Sequence, residues 1–259
     1  MKYIGVVRAI FIANKMKEEL VYNMAKSEGN SLSFAETASV MQGISVGGKK
    51  MYELRQIEHI KAGWDEIISQ VKNGSFEVSK ENFIHINTIV AEDDNNELGG
   101  FRNLPVRIGG TKWMPPLPML LNDSFKSMLE VFNNENLAIE ERVCNLFLES
   151  ARSQFFADGN KRTAQLIMNG VLMQRGYSLF SISPEEDAEY KEKLVAFYES
   201  GDAEEIKEFM GKLAAQIDLR FDNLFEQKLN ILEDDGLSDE QREDAVRALA
   251  DGDSGLKLG

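Results

Sequence analysis

Gln154-Phe155-Phe156-Ala157-Asp158-Gly159-Asn160-Lys161-Arg162-Thr163-Ala164-Gln165 is a polar loop between two apolar-periodic stretches. Ile139 to Phe155 upstream and Lys161 to Arg175 downstream both carry apolar residues at three- and four-residue spacing, which predicts helix, tight loop, helix. Gly159 permits a backbone conformation that turns successive N–H groups into one concavity. The helix after it adds its own free N–H groups and the positive end of its dipole. Such a place suits a phosphate. Lys161 and Arg162 add full charges, Asn160 adds an amide donor, and Asp158 is a carboxylate able to hold magnesium against a diphosphate. As composition alone, Asp-Gly-Asn is equally an ordinary turn before a basic helical turn, so the rest of the chain has to separate the two readings.

The same periodicity runs through most of the chain, which has only 5 Pro in 259 residues. Helices are expected from Tyr3 to Ser27, from Ser33 to Met41 behind a Ser-Phe-Ala-Glu capping box, from Lys50 to Lys72, and from Ser79 to Val90. Further helices are expected over Asp123 to Asn133, Pro184 to Ser200 and Ala203 to Leu232, with a last capping box at Ser238 to Gln241. Between Ala91 and Pro118 the pattern changes to a polar, Gly-rich stretch whose Val106-Arg107-Ile108-Gly109-Gly110-Thr111 alternates as a strand does. Its length and its Phe101, Val106, Ile108 and Trp113 side chains predict a functional hairpin or flap. The domain reading is an N-terminal helical region over 1–80, a core with the flap and the polar loop over 81–215, and an acidic helical tail over 216–259.

Composition removes several classes of function. The 29 Lys and Arg against 43 Asp and Glu give a net charge of -14, and 43% of the residues are hydrophobic. That is enough apolar material for a real core, and the acidic surplus disfavours nonspecific nucleic-acid binding. With Cys144, His59 and His85 alone no Cys/His zinc cluster can form. No apolar run approaches the roughly 18 to 20 residues of a membrane span. Met-Lys and a short mixed run show no cleavage site, so no signal peptide is expected and the cytoplasm is the expected compartment.

The loop resembles the signature of the Fic/Doc family, His-Pro-Phe-x-Asp/Glu-Gly-Asn-Gly/Lys-Arg-x-x-Arg, with Phe156, Asp158, Gly159, Asn160 and Arg162 on matching positions. Ser27-Glu28-Gly29-Asn30-Ser31-Leu32-Ser33-Phe34-Ala35-Glu36-Thr37 is similar to the family's N-terminal Ile-Glu-Gly-Asn-x-Leu-Thr-x-x-Glu-Thr. Gly99-Gly100-Phe101-Arg102 with Val106 to Gly110 is similar to its Gly-x-Arg and flap region. The resemblance implies an all-α Fic fold with a short β-hairpin flap that binds ATP with Mg2+ and transfers AMP to a Ser, Thr or Tyr hydroxyl of a target protein. Gly159 and Asn160 would then cradle the phosphates and Asp158 would take the metal. Arg162 would contact the polyphosphate, with Lys161, Thr163 and Gln165 completing the nucleotide-binding set. Val106, Arg107, Ile108, Gly109 and Gly110 would clamp the target by strand pairing, and Glu28 would be the inhibitory glutamate. A homodimer is compatible with this family; nucleic acid and membrane are not among the expected partners.

Departures from the pattern are as informative. The family's catalytic His is Gln154, which accepts no proton at neutral pH, so the general base is lost and transfer should slow by about 10²- to 10⁴-fold. Gln154 would orient the acceptor instead. Lys161 stands at the usual Gly, as in Doc-type phosphotransferases. The second Arg is Gln165, and Met24 replaces the Ser or Thr expected four residues before Glu28, so the inhibitory Glu-to-Arg pair is not intact. Three readings follow: an AMP transferase, a phosphotransferase, or a module that binds nucleotide or partner without transfer.

Overall fold

The computed structural model describes residues 1–92 and 98–217. In chain order its helices are α1 (Val6–Lys15), α2 (Lys17–Ser27), α3 (Phe34–Met41), α4 (Met51–Lys72), α5 (Lys80–Val90), α6 (Leu121–Phe132), α7 (Ile139–Ser153), α8 (Asn160–Gln174), α9 (Asp187–Ser200) and α10 (204–217), with a 3-10 turn at Pro118–Leu120. The all-α expectation is met. The Ser33 hydroxyl accepts from the Glu36 N–H at 3.3 Å while the Glu36 carboxylate accepts from the Ser33 N–H at 2.7 Å, the reciprocal cap that Ser-Phe-Ala-Glu predicts. Ser79 caps α5 without the reciprocal bond, its hydroxyl accepting from the Asn82 N–H.

α8 is the central element. Every residue from Arg162 to Met173 is buried, so this helix has no solvent face and must be surrounded. α1, α4, α5 and α7 surround it. Gly63 of α4 lets that helix come close: a Cβ there would stand 2.6 Å from Val90 and 2.7 Å from Leu166. Beneath the polar loop, Phe101 stacks on Phe155 at 5.0 Å between centroids, and Phe125 meets Phe83 at 5.1 Å edge-on. One apolar core runs from Ala9 to Ile217.

Two expectations need correction. The first helix does not run unbroken from Tyr3. Residues 2 to 5 are taken up by backbone bonds to the 176–178 segment, with Ile4 N–H on Gly176 O and Ser178 N–H on Lys2 O. A bend at Met16 then divides it, so that α1 packs on α8 while α2 packs on α4 and α3. The flap has its turn at Gly109-Gly110, with Gly110 at φ +80, but its arms form no strand ladder. Among the described residues, only its two ends are bonded to the rest of the protein, as set out below. The part of the Ala203 to Leu232 helix beyond 217, the Ser238 capping box and nearly all of the 216–259 tail lie outside the described residues.

Candidate functional site

The turn between α7 and α8 is built by its own side chains. Gln154 closes α7 in the left-handed region at φ 49, the one non-glycine with positive φ among the described residues. Its Nε2 donates to Ala151 O at 2.6 Å and its Oε1 accepts from Asn160 Nδ2 at 3.1 Å. Asn160, buried, also donates to Phe156 O and accepts from the Phe156 N–H, both at 2.8 Å. The loop is thus cinched by one amide. Gly159 sits at φ +74, and a Cβ there would meet Ala91 and Asn87 at 2.9 Å, so both the backbone and the space require glycine. Asn87 of α5 holds the loop from behind, donating to Asp158 O at 2.9 Å and to the Thr163 hydroxyl at 3.2 Å.

No side chain caps α8, so its first N–H groups are left without a capping acceptor at the positive end of a fifteen-residue helix. Arg162, almost wholly buried, bonds Val90 O and reaches Asp158 Oδ1 at 3.1 Å. The other flank of Asp158 is half exposed. Glu28, at the C-terminal end of α2, faces this turn. Its Oε1 lies 2.9 Å from Lys161 Nζ and its Oε2 lies 4.0 Å from Arg162 Nε. The end of α2 is itself fixed by α9, where Lys191 Nζ donates to Ser27 O at 2.8 Å and Asp187 accepts from the Ser27 hydroxyl at 2.6 Å.

A cavity of about 350 Å³ opens beside the turn. Gln154 and Lys161 line it from the loop, Arg107, Ile108 and Gly109 from the flap, and Lys191, Leu194 and Tyr198 from α9. The Tyr198 hydroxyl is buried with no hydrogen-bond partner among the described residues. Burial, and then the Glu28 charge, push its pKa well up, so it remains a proton donor waiting for an acceptor. Three cations converge here: Lys161, Lys191 and Arg107. The predicted Gln154, Lys161 and flap residues are therefore brought together, with Val106 and Gly110 on either side. Gly159, Asn160, Arg162, Thr163 and Gln165 do not line the cavity; the last four are buried in α8, where Thr163 and Asn160 shape the loop. Among the described residues no three His, Cys, Asp or Glu side chains cluster as a metal site; Asp158 is the carboxylate that the turn itself supplies, with Glu28 facing it from α2.

Sequence reasoning did not anticipate Arg102. Buried at 2% exposure, it donates to Gln154 O at 2.6 Å, Leu104 O at 2.9 Å and Pro116 O at 2.6 Å, while its own N–H bonds Phe155 O. It ties both ends of the flap to the loop. Its place after Gly99-Gly100-Phe101 was visible as a motif, its work was not. Asn87, Lys191 and Tyr198 were likewise missed, since nothing local distinguishes them on their helices.

Residues 77–172 match the model of the Fic/DOC family, and they contain α5, the flap, α6, α7, the turn and nearly all of α8. This part of the chain resembles the Fic family. Protein adenylyltransferase fic-1 of Caenorhabditis elegans is 26% identical over 180 residues, 67% of this chain and 35% of that one. Protein adenylyltransferase Fic of Aedes aegypti is 27% identical over 179 residues, 67% of this chain and 36% of that one. The chain thus spans about a third of the length of these relatives. The fold is shared with residues 134–508 of C. elegans Fic-1, at a TM-score of 0.71, 21% identity, and coverage of 86% of this chain and 72% of that one. It is also shared with a Fic domain containing signaling protein of Bacteroides thetaiotaomicron, at a TM-score of 0.66, 18% identity, and coverage of 94% and 90%. The turn cinched by Asn160, hereafter the signature loop, is the stretch whose sequence resembles that signature. No helix among the described residues is long and apolar enough to cross a membrane.

Proposed function

We propose that the chain binds ATP at the uncapped start of α8 and transfers AMP to a hydroxyl of a target protein, in the cytoplasm. The observation that carries this reading is the cavity between loop, flap and α9, which gathers Lys161, Lys191 and Arg107 around a helix N-terminus and an unpartnered Tyr198 donor. In the transfer, the acceptor oxygen attacks the α-phosphorus and the bond to the β-phosphate's bridging oxygen breaks. Pyrophosphate leaves and the hydroxyl proton passes to water. The half-exposed Asp158 suits a single-carboxylate magnesium ligand, the remaining positions going to phosphates and water. That ion would neutralise charge on the phosphates. The buried free thiol of Cys144 suits a reducing compartment.

Gln154 cannot replace a base. Both ends of its amide are committed, to Ala151 O and to Asn160, so it holds the loop rather than the acceptor's proton. This favours a second reading, a module that binds nucleotide without transferring it. Glu28 supports restraint of either form: bonded to Lys161, it occupies the cation that a phosphate would need. Here Lys161 takes the place of the arginine missing at Gln165 as partner of the inhibitory carboxylate.

The test is incubation of the full chain with a lysate and ATP labelled on the α- or the γ-phosphate. α-label on protein supports AMP transfer, γ-label supports the Doc-like phosphotransfer, and nucleotide binding without either label supports the silent module. Gln154→His should raise α-label transfer by about 10²- to 10⁴-fold, because histidine also tolerates the left-handed region and restores a base. Absence of nucleotide binding in the wild type and in Glu28→Ala would sink the proposal.

A further inference from the structure

A second cavity, of about 690 Å³, opens beside the C-terminal arm of the flap, between that arm, α6 and α7. Trp113 and Leu120 form one wall, Met128 and Val131 of α6 another, and Glu149 and Arg152 of α7 line it from a third side. Around it, Met114, Leu117, Met119 and Val131 are exposed, Met119 by 80%. Exposed apolar side chains gathered at a cleft mark a place for a partner.

The charges in this cleft are unbalanced. Arg152 lines the cleft but bonds neither carboxylate: its guanidinium lies 3.7 Å from the centroid of the Trp113 ring, 5.4 Å from that of Phe197, and Nε donates to Tyr198 O at 3.2 Å. The carboxylates of Glu149 and Asp123 make no hydrogen bond or ion pair with any described residue, although Glu149 is half-buried. Burial raises the Glu149 pKa, against a smaller opposing effect of Arg152 and Lys207. An incoming cation would relieve that cost. In the same cleft, the Trp113 and Met128 side chains offer apolar surface for the stem of a long basic residue.

The cleft also lies next to the proposed reaction site. Ser153 lines it, and Gln154, the next residue, lines the cavity at the signature loop. We infer that this cleft is the specificity subsite for a Lys or Arg of the target protein close in sequence to the acceptor hydroxyl, with Glu149 and Asp123 receiving the cation. This rests on the transferase reading for the identity of the occupant, and its test reads binding, which needs no transfer.

Short fluorescein-labelled peptides carrying one Thr and one neighbouring Lys, or norleucine, or Glu in place of that Lys, are titrated against the full chain by fluorescence anisotropy. The wild type should bind the Lys peptide about tenfold more tightly than the norleucine peptide, and the Glu peptide more weakly still. Glu149→Gln, isosteric and safe for folding, should remove most of the Lys preference while leaving norleucine binding unchanged, and Asp123→Asn should remove a smaller part. No Lys preference in the wild type, or the same preference in both variants, overturns the inference. A Lys preference that depends on Glu149, with no label transferred to any peptide, upholds the subsite while the transferase reading fails. Label transfer equal for Lys and norleucine peptides does the reverse.

Discussion

The signature loop and the flap face each other across one cavity and are held in opposite ways. The loop is largely closed on itself: Gln154, Phe156 and Asn160 satisfy one another within a few residues of Gly159, and Asn87 of α5 braces the Asp158 carbonyl from behind. The flap is held at its ends, by Arg102 at both and by Glu199 and the Arg152 carbonyl as well at the outer one, while Val106 to Gly110 make no hydrogen bond to any described residue. A phosphate-binding surface works by fixed donors, so fixing them during folding avoids reorganisation later. A surface that receives a polypeptide by pairing needs unsatisfied backbone groups, and the middle of the flap has them. The Gly-rich, alternating sequence of the flap predicts a hairpin, whereas its arms stay unpaired within the described chain.

The largest stability effect should come from the residue that joins the two regions. Arg102→Met keeps the length of the side chain and removes the guanidinium, leaving the Gln154, Leu104 and Pro116 carbonyls without their charged donor. Urea unfolding should show a loss of about 3 kcal/mol, with the Trp113 environment altered before global unfolding. Unchanged stability would mean that flap and loop are fastened independently. Next, Gly159→Ala tests the loop alone. A side chain at φ +74 that also meets Ala91 and Asn87 at 2.9 Å should cost about 2 kcal/mol by the same measurement, and nucleotide binding should weaken with it.

How far each region was legible follows from the range of the forces involved. Ser33 and Glu36 act across three residues, Gly159 within its own backbone, and the apolar spacing of α4 or α7 within two turns, so local rules suffice for the caps, the turn and nearly all of the helices. The bend at Met16 was not legible, because α1 and α2 are one periodic stripe whose halves find different neighbours. Nor was the pairing of Glu28 with Lys161, which belong to α2 and α8 and meet only after both have packed. The motif comparison marked the inhibitory pair as broken at Gln165; the fold offers Glu28 another cation. Tyr198 and Lys191 stayed hidden for the same reason, since α9 reads as an ordinary amphipathic helix until it is placed beside the loop.

The smallest effect should come from releasing the outer end of the flap. Glu199 of α9 accepts from the Lys112 N–H at 3.0 Å and from the Thr111 hydroxyl at 3.1 Å, and these bonds, the backbone one first, hold its pKa below the ordinary carboxylate value. A carboxylate with a depressed folded pKa contributes while ionised: the tether is complete above the unfolded pKa of about 4.3 and is lost as pH falls through the lower folded value. At neutral pH, Glu199→Ala should leave the urea midpoint unchanged, because the carboxylate is exposed. It should raise acrylamide quenching of Trp113, which lies two residues from Thr111, while the fully buried Trp64 stays silent. In the wild type the same rise should appear on acidification through the folded pKa of Glu199, and the variant should lack that step, which separates it from titration of Glu149 at higher pH. Equal quenching in both proteins at neutral pH would assign the anchoring of this arm to the Trp113 ring on Arg152. The flap would then be fastened at that end by stacking and by Arg102 rather than by α9.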